Sequence, residues 1–163
     1  MSSTDWLPAL VLLEDYEGHW PSYEEALYSH FFLDFVQAQP SVHGLRIAHR
    51  KHPLTNGREY TFWHLISEGP NERDRIPSPR RCERIRWPRS LVDAEGSSKV
   101  RVWRNRRRTG EALVLALPDF SYKIVLMCRK GYFLLKTAYP VEFVNQRRDL
   151  EKECLAYEAS AKS

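Results

Sequence analysis

Apolar and polar positions change their spacing several times along this chain, and each change predicts an element. In PSYEEALYSHFFLDFVQ, Leu27, Phe31 and Phe35 recur every fourth residue, with Ala26 and Val36 beside them. That period predicts an amphipathic helix of about four turns. Ser22 stands three residues before Glu25 as a capping box, and Pro40 and Gly44 close the helix. The spacing then drops to two. LRIAHR and EYTFWHLISE read as strands, with Tyr60, Phe62, His64 and Ile66 on one face of the second. Asn56-Gly57 between them is a hairpin signal. EGPNERDRIPSP reads as a polar loop.

Ser78-Pro79 opens a helix, with serine as cap and proline at the first helical position. RRCERIRW stays short because Pro88 disfavours helical geometry at Trp87, and PRSLVDAEG resumes the helix up to Gly96. KVRVWR, EALVLAL, YKIVLMCR and YFLLKTAY follow with short turns between them, which predicts four antiparallel strands. NQRRDLEKECLAYEAS reads as a closing helix, with Val144, Arg147, Leu150, Cys154 and Tyr157 on one side. The expected architecture is one α+β domain over residues 1–163. Its antiparallel meander sheet packs on one face with the N-terminal and C-terminal helices.

Composition supports a folded core: 42% hydrophobic and 12% aromatic residues suffice without staples. Cys82, Cys128 and Cys154 are odd in number and far apart, which argues against a disulfide scaffold or structural zinc and for thiols in a reducing cytoplasm. No apolar run approaches the ~20 residues of a membrane span. The start, MSSTDWLPALVLLEDYEGHW, lacks a basic region and a small-residue cleavage site and is not read as a signal peptide.

The charge of +4 conceals an asymmetry: thirteen bases and four acids between Arg73 and Arg108 give that segment +9 and leave −5 elsewhere. Twelve of the thirteen bases are arginine, whose planar fork matches phosphate, so a polyanion is the expected partner. Arg84, Arg101, Arg104, Arg106, Arg107, Arg108 and Lys136 are the candidate nucleic-acid contacts, with Trp103 as a stacking ring. A solvated basic face with no partner is the alternative. Trp87 and Trp103 could equally be core.

Phosphate loops, nucleophile elbows and H-E-x-x-H helices are absent from the sequence. His49 and His52 lie close together without an evident third ligand, so no metal or other cofactor is expected. What is left is acid–base chemistry: a base for a 2′-hydroxyl, an acid for the leaving oxygen, and cations around the phosphorane. His64 precedes the arginine helix, and Lys136, Thr137 and Tyr139 end the last strand. Alternation puts Thr137 and Tyr139 on one face and Lys136 on the other unless that strand bulges. The bland reading makes His64 a half-buried core residue and Thr137 and Tyr139 ordinary strand formers.

The order of helices, then a meander ending in YFLLKTAYPVEF, resembles the metal-independent ribonuclease superfamily of barnase, EndoU, RelE and the tRNA-cleaving colicins, in its phage- and toxin-associated branch. RRCERIRW and KVRVWRN look like segments of a bacterial family of unknown function associated with these nucleases. The resemblance implies a cytoplasmic bacterial endoribonuclease in which His64, Arg80 or Arg81, Thr137 and Tyr139 are catalytic. It also implies RNA as partner, together with an immunity or antitoxin protein. A second histidine and an acidic base at family positions are not found. Two other readings stay open: a nucleic-acid-binding module without catalysis, and an adaptor whose basic face meets an acidic protein.

Overall fold

The computed structural model describes residues 4–161; the first three residues of the stretch weighed above as a signal peptide lie outside them. Helix α1 (Trp20–Phe31) buries Tyr23, Leu27 and Phe31 and continues as a π-helical turn, Phe32–Gln37, that buries Phe35. The predicted apolar stripe is thus the buried one. Its cap differs: Nδ1 of His19 accepts from the Ser22 amide at 3.3 Å, with Pro21 in the first turn. Strands β1 (Ser41–Val42) and β2 (Leu45–Ala48) follow as a short hairpin.

EYTFWHLISE is not a strand. Tyr60–Ile66 forms helix α2, followed by β3 (Ser67–Glu68), which pairs with β4 (Ile76–Pro77). Phe62, Leu65 and Ile66, at i, i+3 and i+4, are the buried face, so the same residues satisfy a helical period as well as a two-residue one. Polar tethers decide between them. Thr61 Oγ1 accepts the Arg50 amide at 2.7 Å near the start of α2. Near its end, Arg75 and Arg81 both donate to the carbonyls of His64 and Ser67, which supplies partners for carbonyls that a helix C-terminus leaves unmet. Asn56 and Gly57 do turn the chain, with φ of 52° and 76°, but the pairing reaches no further than Thr55 with Arg58.

Helix α3 (Pro79–Glu83) is capped by Ser78, and α4 (Trp87–Asp93) restarts with Pro88 in its first turn, as predicted. The meander is β5 (Arg101–Arg107), β6 (Gly110–Ala116), β7 (Tyr122–Arg129) and β8 (Tyr132–Pro140), antiparallel throughout. Helix α5 (Val144–Ala161) closes the chain, burying Leu150 and Cys154 and leaving Val144 exposed.

Two features correct the expected fold. Among the described residues one curled sheet has six strands in the order β1-β2-β8-β7-β6-β5, and β2 runs parallel to β8. The sheet is therefore mixed rather than a simple meander. Helices also cover both faces. Leu113, Leu115, Ile124, Leu126 and Phe133 face a core shared with α1, α2 and α4. The alternating Val114 and Ala116 join Trp103, Leu150 and Cys154 under α5. With both faces covered, β6 and β7 read as continuous apolar runs.

A bulge interrupts β8. Leu126 pairs with Leu135 but Val125 pairs with Thr137, so Lys136 has no opposite number. The extra residue resets the alternation: Phe133, Leu135 and Ala138 all lie in the main core.

Candidate functional site

The bulge brings Lys136 to a groove of about 280 Å³ beside α2, where it lines the same space as His64, Arg50 and Arg129. Apolar Met127 and Leu134, opposite one another across β7 and β8, form part of its lining, and Thr61 and Thr109 add hydroxyls. No carboxylate lines it. The three exposed cations therefore give the groove a single sign of charge, which focuses anions.

His64 is held on two sides. It stacks on Tyr60, one helical turn earlier, at 4.1 Å and 27° between planes, and Arg50 lies 4.2 Å from the same tyrosine ring. Its Nε2 donates to the Glu72 carboxylate at 2.9 Å, a tautomer assigned from that contact. Nδ1 is then the basic nitrogen. Burial lowers the His64 pKa below the ordinary histidine value, and the hydrogen bond to Glu72 offsets part of that. The ring is accordingly neutral at neutral pH and fit to accept a proton.

The other residues named from sequence go elsewhere. Arg80 and Arg81 are adjacent on α3 but diverge: Arg80 is exposed and pairs with Glu83 at 3.4 Å. Arg81 turns inward, its guanidinium 4.6 Å from the Tyr139 ring centroid, and burial lowers its pKa. These three line a second, larger cleft of about 550 Å³ with Ser78 and Gln146. Arg81 links the two regions through its bond to the His64 carbonyl at 3.2 Å. Thr137 is half-buried opposite Val125 and lines neither cavity. The five catalytic candidates are thus divided, not gathered.

The arginine segment forms an edge strand with much of its charge already matched. Arg101 pairs with Glu158, and Arg104 lies 3.7 Å from Glu111 and donates to Cys128 Sγ. Arg84 sits beside Glu83 and 5.0 Å from the Trp87 ring. Arg106 and Arg108 are exposed, while Arg107 buries an Nε that has no hydrogen-bond partner. Alternation puts Arg104 and Arg106 on one face and Arg101 and Arg107 on the other, so they make no single stripe. Charged edge strands also guard a sheet against pairing with other chains. Trp103 takes the core alternative: it is fully buried, its indole N–H donates to Glu153 at 2.7 Å, and its ring meets Phe120. It presents no face to a base.

Sequence reasoning missed Arg50, Tyr60, Glu72 and Arg129 as neighbours of His64. The available signal was the i, i+4 spacing of Tyr60 and His64, which becomes visible once α2 is a helix. His49 is packed edge-on against Phe31 at 5.5 Å. Among the described residues no group of three or more His, Cys, Asp or Glu could hold a metal ion, and no helix is long and apolar enough to cross a membrane. Burial pushes the Cys82 thiol up to about 12 and the Cys154 thiol up to about 11, which makes both unreactive as nucleophiles at neutral pH. Comparison with protein-family models, with curated proteins and with solved structures gives no match.

Proposed function

We propose that the chain is a metal-independent ribonuclease that takes a single RNA strand into the groove beside α2, with His64 as the base that removes the 2′-hydroxyl proton. The observation that carries this reading is the meeting of a carboxylate-oriented histidine with three cations in one groove whose lining, among the described residues, holds no carboxylate. Arg50, Arg129 and Lys136 would hold the phosphate and stabilise the phosphorane, and Lys136 or Tyr60 would return the proton to the leaving oxygen. A groove of about 280 Å³ has room for about one nucleotide and not for a duplex.

The test is incubation of the purified protein with total RNA in excess chelator. Cleavage leaving 2′,3′-cyclic phosphate ends is expected, and loss of cleavage in His64→Ala assigns the base. One observation favours the binding-module reading instead: no second histidine lines the groove. Retention of RNA without any cut would select that reading, and indifference to RNA would overturn both.

A further inference from the structure

We propose that the cleft bounded by α3, the end of β8 and the first turn of α5 binds a small zwitterion. Its carboxylate would be held at Tyr139 by Arg81 and Lys123, and its positive end by carboxylates at the rim. This site is separate from the groove beside α2 and does not rest on the ribonuclease reading.

Lys123 is the starting observation. It is only 9% exposed, lies opposite Tyr139 across β7 and β8, and places Nζ 5.0 Å from that ring. Among the described residues it has no hydrogen bond and no carboxylate within 4.0 Å, so the aromatic face is its sole partner. Its stem is buried while the ammonium reaches the adjoining cavity, where an aromatic face compensates its charge only in part. Arg81 approaches the same ring at 4.6 Å, and it donates hydrogen bonds to the neutral carbonyls of His64 and Ser67. Two cations therefore converge on one tyrosine with no carboxylate within 4.0 Å of either among the described residues, Glu68 acting on Arg81 from farther away.

They face connected space. The cleft of about 550 Å³ and an adjoining cavity of about 260 Å³ share Tyr139 and Gln146, and Lys123 lines the second. Together they have room for a ligand of amino-acid size. The outer wall is mostly of the opposite sign: Glu68, Glu142 and Asp149 line the two cavities, are exposed, and have no ion pair within 4.0 Å among the described residues, while the exposed Arg80 there is already paired with Glu83. The remaining acid, Glu153, is already occupied by Trp103 and Asn105 at 2.7 and 2.5 Å.

Positive charge is inside and negative charge outside. A polyanion meets the rim first and is repelled, and a simple cation finds no partner at the floor. A ligand carrying both charges matches both layers.

L-lysine is the probe, titrated calorimetrically against the full chain, with L-lysinamide (no carboxylate) and glutarate (no cation) as comparators. Saturable binding of lysine is expected, with both comparators weaker by about tenfold or more, the loss of a charge-assisted contact. Lys123→Met should weaken lysine to a similar degree. Absence of saturable lysine binding, equal binding of either comparator, or parental affinity in Lys123→Met would overturn the proposal. Should that variant fail to fold, the unmutated protein decides by NMR: the Tyr139 ring signals must shift saturably with lysine, and their indifference overturns it as surely. None of these titrations involves RNA, so failure here and failure of the ribonuclease reading are distinguishable.

Discussion

His64 and Trp103 show how one side chain's surroundings determine what it can do. His64 keeps a solvent-facing groove while Tyr60 and Glu72 remove its freedom to turn, the arrangement a proton carrier requires. His64→Ala should lower cleavage by about 10² to 10⁴, the usual worth of a general base, with the far-ultraviolet spectrum unchanged. Glu72→Gln keeps a hydrogen-bond partner but removes the negative charge, so its loss in rate should be smaller. Parental cleavage by His64→Ala would move the base elsewhere. Trp103 is the opposite case, a large ring with no accessible face. Trp103→Ala should cost about 3–5 kcal/mol of stability by denaturant titration, the usual range for emptying an aromatic core site. A loss of RNA affinity without that loss of stability would contradict its placement as core.

At the scale of elements, the bulge in β8 and the ends of α2 shape the groove beside His64. Deleting Lys136 should restore plain alternation with Leu135 and Ala138 still in the core and Thr137 still opposite Val125, and take only the lysine from the groove. A melting temperature close to the parent's together with weaker RNA binding checks this, and a fall of several degrees would show that the bulge itself carries stability. The four meander strands and the two short helices at Ser78-Pro79 and Pro88 were legible in the sequence, because turn residues and prolines act locally. The helix at α2 was not. Its tethers come from Arg50, Arg75 and Arg81, which stand 8 to 17 residues from the carbonyls and hydroxyl they bind, and no local window contains them. The site was half legible for the same reason. His64 and Lys136 could be named, but their meeting depends on an unpaired residue that register alone reveals, while Arg80, Arg81 and Tyr139 belong to another cleft.

The whole molecule distributes charge differently from its sequence. Arg101, Arg104, Arg106 and Arg107 of β5 with Arg108 just beyond it would, as five phosphate contacts, give a steep salt dependence, yet Arg101 and Arg104 already have acid partners. Three groove cations imply a log–log slope near about −2 for a single strand, measurable by filter binding across a salt series. A slope near twice that would return the edge strand to the interface. Acidity should also matter. Burial lowers the pKa values of His30, His49 and His64, so the unfolded chain binds more protons than the folded one just below the ordinary histidine value. Stability is then complete above about pH 6.5 and declines as pH falls below it. Asp34, whose pKa burial raises, acts in the opposite sense at lower pH. Melting temperatures between about pH 5 and 7 should therefore rise with pH, given these depressed histidines, and a flat profile would count against the burial of all three.

The parallel pairing of β2 with β8 has a consequence for the order of events on the ribosome. Ile47 waits for Phe133, so α1, β2 and α2 leave the exit tunnel long before the strand they lean on has been translated. The meander can assemble from neighbours alone, whereas the segment of α1, β2 and α2 has only its own contacts, such as Phe31 on Phe62, to cover its apolar face until β8 has been made. During synthesis that segment is the part with most need of a chaperone.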